Sequence, residues 1–222
     1  MRRKSTLRQY LESLLLSVVV VLFIRAFLGE AVQIPTGSME DTLLPGDHLL
    51  INKFAFRWYG GQEPVRFLPF AEVVRKDVVV FKHWKASSEP AYYVKRVVAL
   101  PGETVEILEK QVFIDGAPLD EPYAVFKEPA RRDLSPRDNY GAVTVPAGHF
   151  FVLGDNRDRS YDSRFWGFLA RDKIVGKPLF VWWSIDVARG KHSPIDFTNR
   201  LGGMFTRFFR DTRWSRTGKV IG

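Results

Sequence analysis

Residues 92–102 read YYVKRVVALPG, and the fold turns on what this stretch is. Aromatic and β-branched residues dominate it, and Pro101-Gly102 stops it, which predicts a β-strand ending in a turn. Six comparable runs stand at residues 48–51, 77–81, 104–107, 111–114, 150–153 and 177–184. Turn-forming breaks separate them at Pro45-Gly46-Asp47, Asp115-Gly116 and Pro146-Ala147-Gly148. Runs of this length and spacing predict a mainly β, antiparallel protein. The stretch 121–140 is rich in Pro and charge and reads as a long surface excursion. No internal repeat is present.

The chain has 222 residues, 45% hydrophobic and 26% charged, so it can bury a core. It has no cysteine, which excludes a disulfide framework, a thiol nucleophile and any Cys-ligated metal. His48, His83, His149 and His192 are scattered and form no HExxH pair, which argues against a zinc protease. The net charge is +8. Its cations gather at Arg2, Arg3, Lys4 and Arg8, and again at Arg200, Arg207, Arg210, Arg213, Arg216 and Lys219. Such clusters suit anionic lipid or nucleic acid. No nucleic-acid-binding signature accompanies them, so no nucleic-acid partner is expected.

Residues 14–24 read LLLSVVVVLFI. Arg25 interrupts, and Ala26-Phe27-Leu28 resumes the apolar run. The stretch 14–28 is short for a membrane span of about 20 residues. It reaches if Arg25 snorkels and residues 31–34 extend the apolar path. With basic residues before it, and Lys53 the next cation after Arg25, the positive-inside rule puts the N-terminus in the cytoplasm. The alternative is a cleaved signal peptide, with small residues at Gly29 and Ala31.

Three segments carry candidate chemistry. In Ile34-Pro-Thr-Gly-Ser-Met39, Pro35 and Gly37 shape an irregular backbone that can hold the Ser38 hydroxyl out of a ladder; the plain alternative is an ordinary loop. In the opening strand, Lys95 shares a face with Tyr93, Val97 and Ala99. Burial there would lower its pKa and free an amine able to take a proton from serine; the alternative is an edge strand with Lys95 in water. Residues 154–164, GDNRDRSYDSR, follow the run 150–153 with almost no apolar side chain. They suit a positioning network or a solvated turn.

Together the three segments resemble the boxes of bacterial type I signal peptidases. Pro35-Thr-Gly-Ser38-Met39 resembles the nucleophile box, with Gly46-Asp47 its continuation. Lys95 to Gly102 resembles the general-base box, and Gly154 to Gly167 the last box. The resemblance covers residues 14–178. Asp41 stands where the family commonly has Pro, and Thr36 where it often has Ser. It implies Ser38 as nucleophile and Lys95 as general base, with the oxyanion held by the Ser38 N–H and the Thr36 hydroxyl. Ser160 would orient Lys95, and Asp162 with Arg164, and Asp155 with Arg96, would support the site. No metal or cofactor is implied.

The domain organisation expected is a basic cytoplasmic start (1–12) and a transmembrane anchor (13–32). A catalytic β core (33–102 and 147–222) follows, with an inserted β subdomain (103–146). The resemblance further implies a single-pass protein of the bacterial plasma membrane, with its catalytic domain outside. It would remove signal peptides from exported preproteins after small residues at −3 and −1, at the phospholipid surface. Three rival readings stay open: another Ser/Lys peptidase that cleaves itself or one partner, a catalytically inactive membrane-tethered β scaffold, and an anionic-lipid- or nucleic-acid-binding protein using the basic tail. Residues 204–214, MFTRFFRDTRW, read either as a final core strand or as a lipid-docking surface beside Ile34, Phe54 and Phe56, with Gly202-Gly203 as a hinge before them.

Overall fold

Val94, Lys95, Arg96, Val97, Val98 and Ala99 are all buried, so the strand that carries them is covered on both faces. It is β4 (Pro90–Ala99) in a computed structural model that describes residues 6–23, 30–53, 55, 72–84, 90–130, 136–187 and 208–221. Before it come α1 (Thr6–Phe23), β1 (Glu30–Gln33), β2 (Asp47–Asn52) and β3 (Val78–Trp84). After it come β5 (Thr104–Leu108), β6 (Gln111–Ile114), β7 (Ala117–Pro118), β8 (Tyr140–Thr144) and β9 (His149–Leu153). The chain continues through α2 (Ser163–Trp166), β10 (Leu169–Ala170) and β11 (Ile174–Ser184).

Among the described residues these strands form two sheets, with orders β1-β2-β11-β3-β4-β9-β10 and β7-β6-β5-β8. All their pairings are antiparallel. The period-2 alternation of strands sorts the side chains between layers. On β3, Val78 and Val80 join the core of Val32, Ile34, Met39, Leu43, Leu49, Ile51 and Val181. Val79 and Phe81 turn the other way, to Val97, Phe150, Val152 and Leu169. A third core, built on Val98, Ala99, Phe151 and Leu153, joins the larger sheet to Val105, Ile107, Val112 and Ile114 of the smaller one.

The seven predicted runs fall on β2, β3, β4, β5, β6, β9 and β11. Four expectations are corrected. Residues 30–33 are β1, paired to β2, and Val32 and Ile34 are core residues. They therefore cannot lengthen an anchor, and Ile34 is not on a lipid-facing surface. Ala99 packs with Val98 rather than with Tyr93 and Val97, because the pairing of β4 with β9 shifts register between Val97 and Ala99. The stretch 121–140 is more than a surface excursion. Val125 bridges Asn156, and Glu121 pairs with Arg157 at 2.5 Å. Finally, residues 208–221 do not form a core strand. Thr212 bridges Ile185, Val220 bridges Phe180, and Ile221 is buried in the first core, while Phe209 and Trp214 stay exposed. Phe54, Phe56, Arg200, Arg207 and Gly202-Gly203 lie outside the described residues.

α1 exposes Leu7, Leu11, Leu14, Leu15 and Leu16 along its length. Among the described residues no helix is long and apolar enough to cross a membrane.

Candidate active site

β1 delivers the chain to Ile34-Pro35, and residues 36–43 then wind through turns before β2 begins. Met39 and Leu43 are buried and pin this loop to the core. Ser38, between them and Pro35, is left half-buried with its hydroxyl toward β4. Lys95 reaches it from the middle of that strand, its Nζ 2.6 Å from Ser38 Oγ. Thr36 Oγ1 lies 3.5 Å from the same oxygen.

Lys95 is 2% exposed. Burial lowers its pKa from 10.5 to about 8, and Arg164 pushes the same way, against the opposing pull of Asp162 and Asp155. At pH 7 about a tenth of such an amine is therefore neutral, far more than of an ordinary lysine. The pair can move a proton from a half-buried hydroxyl to a buried amine.

Two buried ion pairs frame it. Arg96, next to Lys95 on β4, grips Asp155 with two bonds, Nε to Oδ1 at 2.9 Å and Nη2 to Oδ2 at 2.8 Å. Tyr123 covers that guanidinium, its ring centre 4.1 Å from Cζ. Arg164 grips Asp162 the same way, at 2.8 Å for both bonds. Asp162 also accepts from the Gly154 N–H and caps α2 through the Arg164 N–H. Each charge is thus paired and hydrogen-bonded, as burial requires.

Ser160 departs from its expected role. Its Oγ is buried but makes no hydrogen bond with any described residue, and so none with Lys95. It lies instead against Gly154. A Cβ on Gly154 would fall 2.2 Å from Ser160 Oγ and 2.4 Å from the Ser38 carbonyl oxygen. The close approach of these two serines is what requires glycine there.

Several contacts are not legible in the sequence alone. Asn156 donates its N–H to the Ser38 carbonyl at 3.2 Å and its Nδ2 to the Gly37 carbonyl at 3.2 Å. Thr42 Oγ1 donates to Asp155 at 2.6 Å. Arg157 and Glu121, and Lys110 and Asp158, form further buried pairs. Asn156 and Arg157 stand within the stretch 154–164, but no local pattern says which loop they hold. Among the described residues no group of His, Cys, Asp or Glu is placed to hold a metal ion.

The profile of the family described as "Signal peptidase, peptidase S26" matches residues 7–183. The chain is 36% identical to "Signal peptidase I" of Pseudomonas aeruginosa, over 83% of this chain and 75% of that one. It is 37% identical to "Signal peptidase I" of Leptolyngbya laminosa, over 82% of each. To "Signal peptidase I T" of Bacillus subtilis it is 32% identical, over 85% of this chain and 91% of that one.

Proposed function

Because the chain belongs to the signal peptidase family, peptidase S26, and is a serine peptidase of the signal peptidase I kind, we propose that it works through a Ser38/Lys95 dyad at a membrane surface. The observation that carries this reading is the 2.6 Å approach of Lys95 Nζ to Ser38 Oγ on a buried lysine.

Lys95, neutral, takes the Ser38 proton as Oγ attacks the scissile carbonyl, and returns it to the leaving amine as the acyl-enzyme forms. Water then enters by the same base and releases the acid. The Ser38 N–H and the Thr36 hydroxyl stabilise the developing oxyanion. Asp155 with Arg96, and Asp162 with Arg164, hold Lys95 and the Ser38 loop in register. Ser160 and the Ser38 carbonyl both pack against Gly154, and Ser160 acts through that packing. No metal or cofactor enters.

The substrates are signal peptides of exported preproteins, cut after small residues at −3 and −1. The domain plan is a basic cytoplasmic start, an anchor that ends before β1, a catalytic β core, and a subdomain inserted at 103–146. The exposed apolar flank of α1 supports burial in lipid. Leu28 and Ser38 are ten positions apart. That is at most about 36 Å of chain, which keeps the site close to the bilayer. The location is the bacterial plasma membrane, with the N-terminus cytoplasmic and the catalytic domain outside.

The test is cleavage of a purified preprotein by wild type, Ser38→Ala and Lys95→Ala. Both variants are expected to lose nearly all activity and stay folded. Retention of more than about a tenth of wild-type activity by either would dismiss the dyad.

A further inference from the structure

Asp47 is a fully buried carboxylate four positions past the end of the turns that hold Ser38. Two of its partners come from the far end of the chain. Arg216 donates Nε to Oδ1 at 3.0 Å and Nη2 to Oδ2 at 2.5 Å. Arg213 Nη2 lies 3.6 Å from Oδ1, and Ser184 Oγ donates to the same oxygen at 2.6 Å. Burial pushes the Asp47 carboxyl up, but the bonds from Arg216, Ser184 and the Leu44 N–H outweigh it and hold the pKa below the ordinary carboxylate value. Residues 213 and 216 lie beyond 7–183, the part matched by the family profile. The clasp is therefore built from a segment outside that match.

The same arginines also grip the loop itself. Arg216 Nη2 donates to the Thr42 carbonyl at 3.1 Å, as does Lys219 Nζ, also at 3.1 Å. Arg213 Nη2 donates to the carbonyls of Pro45 at 2.5 Å and Ile185 at 2.7 Å. Gly46 has φ +90°, and a Cβ there would fall 2.1 Å from the Ile185 carbonyl oxygen, so the loop closes tightly against this seat. Thr42 joins two grips, since its hydroxyl binds Asp155 while its carbonyl takes Arg216. A continuous polar path thus runs from Arg216 through Thr42 and Asp155 to Arg96, the neighbour of Lys95.

We propose that the C-terminal segment is a positioning element for the nucleophile, with Arg216 and Arg213 setting the Ser38 loop through Asp47 and Thr42. This rests on Ser38 being the nucleophile. Residues 36–46 carry no strand ladder. Their placement depends on the two buried anchors Met39 and Leu43, on Asn156 and Asp155 at the front, and on the arginine clasp behind. Loosening one grip shifts Ser38 relative to Lys95, and misplacement of about 1 Å can cost about 100-fold in rate.

The experiment uses the full chain in detergent with a purified preprotein. It compares wild type with Arg216→Gln, Arg216→Lys, Thr42→Val and the pair Thr42→Val/Arg216→Gln, each checked for folding by circular dichroism at the assay temperature. Arg216→Gln is expected to lower kcat about 10- to 100-fold per folded molecule, with KM within about twofold. Arg216→Lys keeps the charge beside Asp47 but loses the fork, and is expected to fall between the two. The pair is expected to lose less than the product of the single losses, because both act on one loop. If Arg216→Gln does not fold, Arg216→Lys carries the test. A folded variant with wild-type kcat, or one whose loss lies in KM alone, overturns the proposal. Ser38→Ala is assayed beside them: residual activity there would remove the nucleophile reading, whatever the arginine variants do.

Discussion

Burial at Lys95 and the carboxylates near it pull its amine in opposite directions, and burial wins. The consequence is a pH profile. If Lys95 is the base, kcat/KM is expected to rise with an apparent pKa of about 8 and level off above it. A rise only near 10.5, the ordinary lysine value, would mean a solvated amine and a wrong assignment. The same depression has a stability signature. A cation with a depressed folded pKa binds fewer protons in the native state between about 8 and 10.5, so its stability penalty fades as pH rises through that window. Lys95→Met is therefore expected to stabilise the fold at pH 7 by up to about 3 kcal/mol, since each tenfold loss of proton affinity costs roughly 1.4 kcal/mol. Thermal melts should show that advantage disappearing above pH 10.5. Gly154→Ala tests the neighbouring geometry. Its Cβ collides with Ser160 Oγ and the Ser38 carbonyl, so kcat is expected to fall at least about tenfold in a protein that still folds. The burial of Lys95 was one of two readings its apolar neighbours left open, since Arg96 beside it stands among the same side chains. That Ser160 Oγ makes no hydrogen bond with any described residue was not legible, since it depends on how Ser160 packs against Gly154.

Strands announce themselves through composition, and long ones do so best. β4 and β11 are 10 and 11 residues long and were readable. β7 and β10, of 2 residues each, carry too little pattern for a period to register. β1 was hidden for another reason: its EAVQ follows an apolar run and looks like its continuation. What makes it a strand is pairing with β2, a property of two segments together. The partners of Asp47 were hidden in the same way. Arg213 and Arg216 stand among cations that suit a lipid surface, and nothing local to them marks a carboxylate 166 and 169 positions away. The clasp predicts a stability effect as well as a rate effect. The folded pKa of Asp47 is depressed, so its contribution is fully present above its unfolded pKa and is lost as pH falls through the folded value. Asp47→Asn is expected to cost about 3–5 kcal/mol at pH 7, the range for breaking a buried pair from one side. Denaturant melts should show that gap closing in acid. A gap independent of pH would assign the loss to packing instead of charge.

The net charge of +8 and the exposed apolar side chains of α1 act on the molecule as a whole. Positive residues before α1 favour the cytoplasmic side, where anionic headgroups attract them. In the proposed topology the opposite flank carries β1 and everything after it to the outside. Ser38 follows β1 by only five positions, which in that topology holds the site near the surface. Phe209 and Trp214, exposed beside Arg210 and Arg213, are of the kind that settle at a headgroup layer. The proposed orientation can be tested in intact cells. Residues 126–130 are exposed on the far side of the clamp formed by Val125 and Asn156. Protease added to spheroplasts is expected to cut within that stretch, while a tag placed before Arg2 stays intact until the membrane is broken. A tag digested from outside would invert the orientation. Recovery of a shortened chain beginning near Val32 would replace the anchor with a cleaved leader, and because Val32 lies within β1, such cleavage would also cut away half of that edge strand.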